Sequence, residues 1–205
     1  MRRLILLLPL SLSPVYAIGF WGSLGGGLNF GGFREVRFTE DGDTVTAKTS
    51  AKGFIAGGNL MGGISLQPIP IAVGLGVDYY TGTQKYVLKF EADSRGIEDE
   101  DTLEVKRIYI KLPVAYHLSL PRLKGYFGLY PAYALYSVKV KGESDWAVFK
   151  GFAFGGFTNL YYSLGPVGLG GGIFVDYAPS LDVYINKVFH YGINLGLLIS
   201  LGVLE

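Results

Sequence analysis

The chain has 205 residues, of which 49% are hydrophobic and 17% are charged, and it contains 31 glycines and no cysteine. This much apolar material excludes an intrinsically disordered chain, and the missing cysteine excludes a disulfide scaffold and a cysteine-ligated metal site. A formal net charge of +1 provides no basic surface of the kind that binds nucleic acid. The length suits a single domain.

The first residues have the features of a secretory signal peptide. Arg2 and Arg3 form a basic start, residues 4–12 are an apolar stretch, and Ala17 is a small residue of the type at which signal peptidase cleaves. We therefore predict a signal peptide over residues 1–17 and a mature domain over residues 18–205. An uncleaved N-terminal helix is the alternative.

Glycine is too frequent in the uncharged stretches of the mature chain for membrane-spanning helices. Residues 18–33 and 151–175 carry no charge, but both are crowded with glycines, which cost a helix about 1 kcal/mol per position relative to alanine. The same stretches alternate between large apolar and small or polar residues, which is the period of a β-strand. Such strands are predicted at 18–36, 51–66, 69–90, 103–118, 124–141, 148–164, 166–178 and 188–204.

The connections alternate between short turns and long polar segments. The short ones are 67–68, 119–123 and 165–166, whereas most charged residues fall in the windows 34–52, 85–111, 139–150 and 182–187. The second face of each strand is mostly small and uncharged, unlike the solvated face of a soluble sandwich. We therefore predict an all-β fold, an eight-stranded antiparallel up-and-down transmembrane β-barrel with these windows as its charged loops.

Alternation along the strands also predicts which side chains face the membrane and which face the lumen. The rings expected near the membrane interfaces, as an aromatic girdle, are Phe20, Trp21, Phe33, Tyr79, Tyr80, Tyr116, Tyr161, Tyr162, Tyr177 and Tyr191. The large side chains expected to face inward and fill the lumen are Tyr80, Tyr109, Lys111, Tyr130, Tyr136 and Phe174.

Three segments resemble the small bacterial outer-membrane barrels grouped as PorT-like or OmpA/OmpX-like proteins. They are residues 109–116 (YIKLPVAY), 126–133 (YFGLYPAY) and the closing strand 191–197 (YGINLGL). The resemblance implies a barrel in the bacterial outer membrane, in contact with its lipids and inserted by the barrel-assembly machinery, but it implies no single activity. Many such proteins end in an aromatic residue, whereas this chain ends in Glu205.

Few residues suggest catalytic or metal chemistry. His117 and His190 are the only histidines, and the serines nearest His190 in sequence are Ser180 and Ser200. Outer-membrane barrel enzymes that modify lipid A depend on a histidine and a serine near one rim, and no such spacing is present. The acidic run 98–101 (EDED) lacks the spacing of an EF-hand loop, and we interpret it as a solvated loop tip.

We therefore expect a non-catalytic, monomeric barrel without a cofactor, with a structural or surface-interaction role through its charged loops. A small pore or solute pathway, a lipid A-modifying enzyme and a soluble periplasmic β-protein are the alternatives.

Strand parity predicts a polar cluster inside the barrel. Asp78, Lys111, Asp176 and His190 all fall on inward-facing positions. Because an inward charge in a narrow barrel is costly unless it is paired, we predict that Asp78 pairs with Lys111 and Asp176 with His190. Further hydrogen bonds in the lumen are expected from Asn59, Asn159 and Asn194. The cluster acts either as a gate whose partners switch or as a fixed plug.

Overall fold

The computed structural model describes residues 17–40, 43–67, 69–90 and 98–201. Its strands are β1 (Ala17–Glu40), β2 (Asp43–Lys52), β3 (Phe54–Gln67), β4 (Ile71–Phe90), β5 (Glu98–Lys111), β6 (Val114–Leu120), β7 (Leu123–Val140), β8 (Ala147–Leu164), β9 (Val167–Ser180) and β10 (Ile185–Leu201). The predicted signal peptide lies outside the described residues, apart from Ala17 at the start of β1. Among the described residues, no helix is long and apolar enough to cross a membrane.

The sheet closes on itself, because β10 pairs with β1 and every pairing is antiparallel. β2 and β3 both pair with β1 and β4, on either side of Gly53. β5 and β6 both pair with β4 and β7, on either side of Leu112 and Pro113. The ten described strands therefore occupy eight positions around the ring. This confirms the antiparallel barrel and corrects the prediction of eight uninterrupted strands.

The two interruptions have local causes. Gly53 has a φ of 97°, a conformation that glycine adopts without steric cost. Pro113 has no backbone N–H and so cannot donate to a neighbouring strand. Its carbonyl still accepts a hydrogen bond from Gly74 N at 3.0 Å, and Leu112 N donates to Pro131 O at 3.0 Å. The ring therefore stays hydrogen-bonded across the break.

The two longest polar windows are mostly β-structure, which corrects their assignment as loops. β1 and β2 pair as far as Glu40 opposite Asp43, and β4 and β5 pair as far as Lys89 opposite Glu98. The acidic run 98–101 is therefore the beginning of β5 and not a loop tip. A transmembrane strand needs about 9–11 residues, whereas β1 has 24 and β4 has 20. These hairpins thus extend well beyond a bilayer-spanning length; residues 41–42 and 91–97 lie outside the described residues.

The outer surface of the ring is apolar and its interior holds the polar groups. Leu129 and Leu195 point outward and are 72% and 76% exposed, whereas Tyr80, Tyr109 and Tyr136 point inward and are fully buried. A soluble protein does not leave so wide an apolar surface in water. A closed barrel can do so in lipid, since every strand is paired on both sides and no edge remains.

The predicted girdle is only partly correct. The members that face outward are Phe20, Tyr79, Tyr116, Tyr162, Tyr177 and Tyr191, and those that are buried in the lumen are Trp21, Phe33, Tyr80 and Tyr161. Adjacent residues in a strand point to opposite faces. Phe20 and Trp21, Tyr79 and Tyr80, and Tyr161 and Tyr162 therefore cannot share the lipid face.

Candidate functional site

The structure brings all four predicted cluster residues into the middle of the lumen. Asp78 lies on β4, Lys111 ends β5, Asp176 lies on β9 and His190 lies on β10. Each has an exposed fraction of 3% or less. Alternation in the strands accounts for this placement, because each residue shares its face with inward-pointing rings such as Tyr80.

Asp78 and Lys111 form an ion pair, with Lys111 Nζ 2.5 Å from Asp78 Oδ2. In the ladder Asp78 is opposite Tyr109, and Lys111 is opposite Gly76, so the two residues are diagonal neighbours. Diagonal neighbours are within reach of a long side chain. Lys111 also donates a hydrogen bond to the hydroxyl of Tyr130 at 2.9 Å.

Asp176 pairs with Arg107 and not with His190, which differs from the sequence-based expectation. His190 is directly opposite Asp176 in the β9–β10 ladder, as parity predicts. The carboxylate nevertheless lies 3.3 Å from Nη1 of Arg107 and accepts a hydrogen bond from the Tyr130 hydroxyl. Lys111 Nζ is 3.9 Å from the same carboxylate, so Asp176 links both cations.

His190 is connected to the network through Asn29. With the Asn29 amide oriented to satisfy its neighbours, its oxygen accepts hydrogen bonds from Arg107 at 2.8 and 2.9 Å, and its nitrogen donates to His190 Nδ1 at 3.1 Å. An imidazole that accepts at Nδ1 is neutral and carries its proton on Nε2. The ring of His190 stacks on Tyr136, with the ring centroids 5.6 Å apart.

Aromatic rings surround both cations. Arg107 Cζ lies 4.7 Å from the ring centroid of Tyr80 and 4.6 Å from that of Tyr109, and Lys111 Nζ lies 4.1 Å from that of Tyr130. Ring faces attract cations, most strongly where water is excluded. The rings therefore replace part of the hydration that the buried cations lose.

Arg107 is the main functional residue that sequence reasoning missed. It lies where the charged window 85–111 overlaps the predicted strand 103–118, and it was not included among the inward-facing residues, yet it is fully buried on β5. The signal is present in the sequence, because positions 107, 109 and 111 share one face of a strand. Extending the strand parity of Lys111 by four residues would have placed Arg107 in the lumen.

The lumen is almost completely filled at the level of this network. The predicted asparagines 59, 159 and 194 lie around the remaining cavity, which measures only ≈ 10 Å³ and is also lined by Asp78, Lys111 and Phe174. That volume corresponds to about one water molecule. We refer to the cluster as the ionic plug, because the described residues around it leave room for only about one water molecule at this level.

Aromatic groups close the lumen on both sides of the plug. On the side of the short turns, Tyr126 packs against Trp21 and His117, with ring centroids 4.9 and 4.8 Å apart. On the side of the long hairpins, Phe33 stacks on Tyr86 at 4.2 Å. Both histidines are therefore part of the lumen packing. Among the described residues, no group of three or more histidine, cysteine, aspartate or glutamate side chains is arranged to hold a metal ion.

Known proteins resemble this chain in structure rather than in sequence. No protein-family model matches it, and no curated protein sequence matches it. Neisserial surface protein A aligns with 88% of this chain and 96% of its own at 14% identity, with a TM-score of 0.53. A major outer membrane protein from Thermus thermophilus aligns with 91% of this chain and 99% of its own at 14% identity, with a TM-score of 0.49.

Ail of Yersinia pestis aligns with 90% of this chain and 97% of its own at 15% identity, with a TM-score of 0.42.

At these identities the likeness to Neisserial surface protein A is a likeness of fold. The outer-membrane localisation predicted from the sequence agrees with that fold. The chain has the fold of the small OmpA/OmpX-like β-barrels of the bacterial outer membrane.

Proposed function

We propose that the protein is a non-catalytic, monomeric outer-membrane barrel that interacts with partners at the cell surface through its long hairpins. The observation that carries this proposal is the length of the hairpins, since β1 and β4 run far past the apolar band and become charged beyond it. Outer-membrane lipids would surround the band, and the barrel-assembly machinery would insert the chain. Paired strands that extend from a closed barrel are a suitable base for a recognition surface.

The filled lumen supports this role over a pore. Two buried ion pairs and the surrounding rings leave a cavity for about one water molecule at mid-height. Small eight-stranded barrels ordinarily fill their interior in this way.

The positions of the histidines support a non-catalytic role. His190 is fully buried against Tyr136 and Asn29, and His117 stacks on Tyr126. A histidine base that activates a nucleophile for lipid substrates must reach the substrate from a rim. His190 is fully enclosed, and the partly buried ring of His117 is held against Tyr126 at the short-turn end.

Cysteine labelling tests the orientation, because the chain has no native cysteine. Glu143→Cys introduces a thiol in the exposed turn between β7 and β8, and Arg122→Cys introduces one in the exposed turn at the opposite end. We expect a membrane-impermeant maleimide to label Glu143→Cys on intact cells. Arg122→Cys should react only after the outer membrane is permeabilised.

The reverse labelling pattern would show that the long hairpins face the periplasm, and labelling of neither site on intact cells would exclude surface exposure. The role of the hairpins is tested by shortening the β1–β2 and β4–β5 hairpins at their paired ends. If the shortened variant still inserts but loses a surface phenotype that the full chain confers, the interaction role is supported; an unchanged phenotype would count against these hairpins.

A further inference from the structure

An apolar pocket opens at the long-hairpin end of the lumen, and neither the plug nor the bilayer accounts for it. Its volume is ≈ 180 Å³, and its walls include Leu103, Val138 and Phe149. These side chains lie inside the ring of strands, so membrane lipid on the outer face of the barrel does not cover them. The pocket is therefore separate from the ionic plug below it.

The floor of the pocket is closely packed, and among the described residues its mouth is open. Phe33 and Tyr86 are stacked in the floor with exposed fractions of 4% and 0%. The Tyr86 hydroxyl is turned away into hydrogen-bonding distance of Tyr136 and Gln84, at 3.1 and 3.3 Å. Tyr184 stands at the mouth and is 49% exposed. A ligand would thus enter from the hairpin end and stop above the plug.

The size and lining of the pocket suit a small apolar group. An apolar protein cavity of about 150 Å³ binds benzene. Pockets lined mainly by apolar and aromatic side chains with a few polar groups are the usual form of small-molecule sites. The apolar part of a ligand here would be one aromatic ring or a short hydrocarbon chain.

Asp101 supplies the one acidic group in the pocket wall. It faces inward on β5, directly opposite Tyr86 in the ladder. In the described part of the chain its carboxylate forms no hydrogen bond or ion pair, whereas the outward-facing neighbour Glu100 is 3.8 Å from Lys52. A carboxylate beside the rings of Phe33, Tyr86 and Phe149 attracts an organic ammonium group, through its charge and through the ring faces.

We propose that this pocket binds a small organic cation in which an ammonium group is attached to an aromatic ring or a short hydrocarbon chain. The ammonium group lies against Asp101 and the apolar part lies on the Phe33–Tyr86 floor. This site adds to the proposed surface role and does not depend on it, since the pocket is formed by the barrel itself whichever way it faces.

Binding of three matched probes to the purified protein in lipid nanodiscs tests the proposal. The probes are phenethylammonium, 2-phenylethanol and 3-phenylpropionate, each with its polar group two carbons from the ring. Their binding is measured by isothermal titration calorimetry without detergent, because detergent tails would compete for the pocket. We expect the ammonium probe to bind about tenfold more tightly than the carboxylate probe, with the alcohol between them. Equal affinities, or no saturable binding of the ammonium probe at millimolar concentration, would overturn the proposal.

Three variants locate the site. Asp101→Asn should reduce the affinity for the ammonium probe to that for the alcohol, whereas the matched control Glu100→Gln should leave both unchanged. Val138→Trp should fill the pocket and abolish binding of every probe. Each variant is first checked for heat-modifiable gel migration, so that a folding failure is recognised. Binding that survives Val138→Trp, or an ammonium preference that survives Asp101→Asn, would contradict the assignment.

Discussion

The buried charges of the lumen balance one another. Asp78 and Asp176 contribute two negative charges, Arg107 and Lys111 contribute two positive charges, and His190 is neutral because it accepts a hydrogen bond from Asn29. A protonated histidine opposite Asp176 would have added a third cation. Burial of an uncompensated charge costs several kcal/mol, and the two ion pairs avoid that cost.

Removing one charge from this network should cost more than removing two. Lys111→Met removes the ammonium group whose Nζ lies 2.5 Å from Asp78 Oδ2. We expect the free energy of unfolding to fall by about 3–5 kcal/mol, because the Asp78 carboxylate is left unpaired. The double variant with Asp78→Asn should recover a large part of that loss, because the unpaired carboxylate is gone. Urea unfolding in detergent micelles measures both. Equal stability of the single and double variants would show that the pair is not energetically coupled.

Gly155 is required by the ring that packs over it. A Cβ at this position would overlap the Tyr130 ring, whereas a Cβ on Gly26, at an exposed position of β1, would have its nearest neighbour at 3.5 Å. We expect Gly155→Ala to destabilise the barrel by about 1–3 kcal/mol, since Tyr130 is held by Lys111 and Asp176 and has little room to move.

The matched control is Gly26→Ala, which should change the urea midpoint little. Comparable losses for the two variants would indicate a general cost of replacing strand glycines rather than a packing requirement at Gly155.

At the scale of the elements, side-chain contacts inside the barrel stabilise the long hairpins. Phe33 of β1 stacks on Tyr86 of β4, and Tyr86 hydrogen-bonds Tyr136 of β7. Thr49 of β2 donates a hydrogen bond to the Phe33 carbonyl. These contacts join four positions of the ring above the plug, namely those of β1, β2, β4 and β7. The packed interior explains why segments with so many charges form strands.

Removing the Tyr86 ring should loosen the hairpin ends without opening the barrel. In Tyr86→Ala we expect faster trypsin cleavage in the 43–52 and 85–90 segments, while the membrane-spanning body stays protected. The control Tyr79→Ala removes a ring that is 45% exposed on the outer face and should leave cleavage at the wild-type rate. Unchanged cleavage in Tyr86→Ala would mean that backbone pairing alone maintains the hairpins.

For the whole molecule, the closed ring and the filled lumen predict a compact barrel that does not conduct ions. In planar bilayers we expect no steady conductance steps from the wild-type protein. Phe157 and Phe174 both line the small cavity beside the plug, and their joint replacement by alanine should widen it and produce intermittent conductance.

Phe152→Ala is the control for the conductance experiment, since Phe152 is 70% exposed on the outer face. All three proteins should migrate faster in gels before heating than after it, as expected of a closed barrel. Steady conductance of the wild-type protein would contradict a filled lumen and would support the interpretation of the barrel as a pore.

The sequence by itself determined the barrel and the faces of its strands. The alternation around Asp78, Lys111 and Asp176 is a local property, because successive side chains of any strand point to opposite sides. The inward positions of Tyr80, Tyr109 and Phe174 follow from the same rule, and the structure has all three buried. The density of charged residues was a poorer indicator of loops. The charged window 85–111 contains paired strand that extends beyond the membrane, and it also contains the buried Arg107.

Only the tertiary structure decided which inward groups meet. His190 lies opposite Asp176 in the ladder, yet Arg107 reaches that carboxylate from β5, on the far side of the lumen. Ladder neighbours can be counted along the chain, whereas contacts across a lumen depend on how the strands are staggered when the ring closes. The apolar pocket beside Asp101 has the same origin, because its walls come from strands that are distant around the ring and meet only when the barrel is closed.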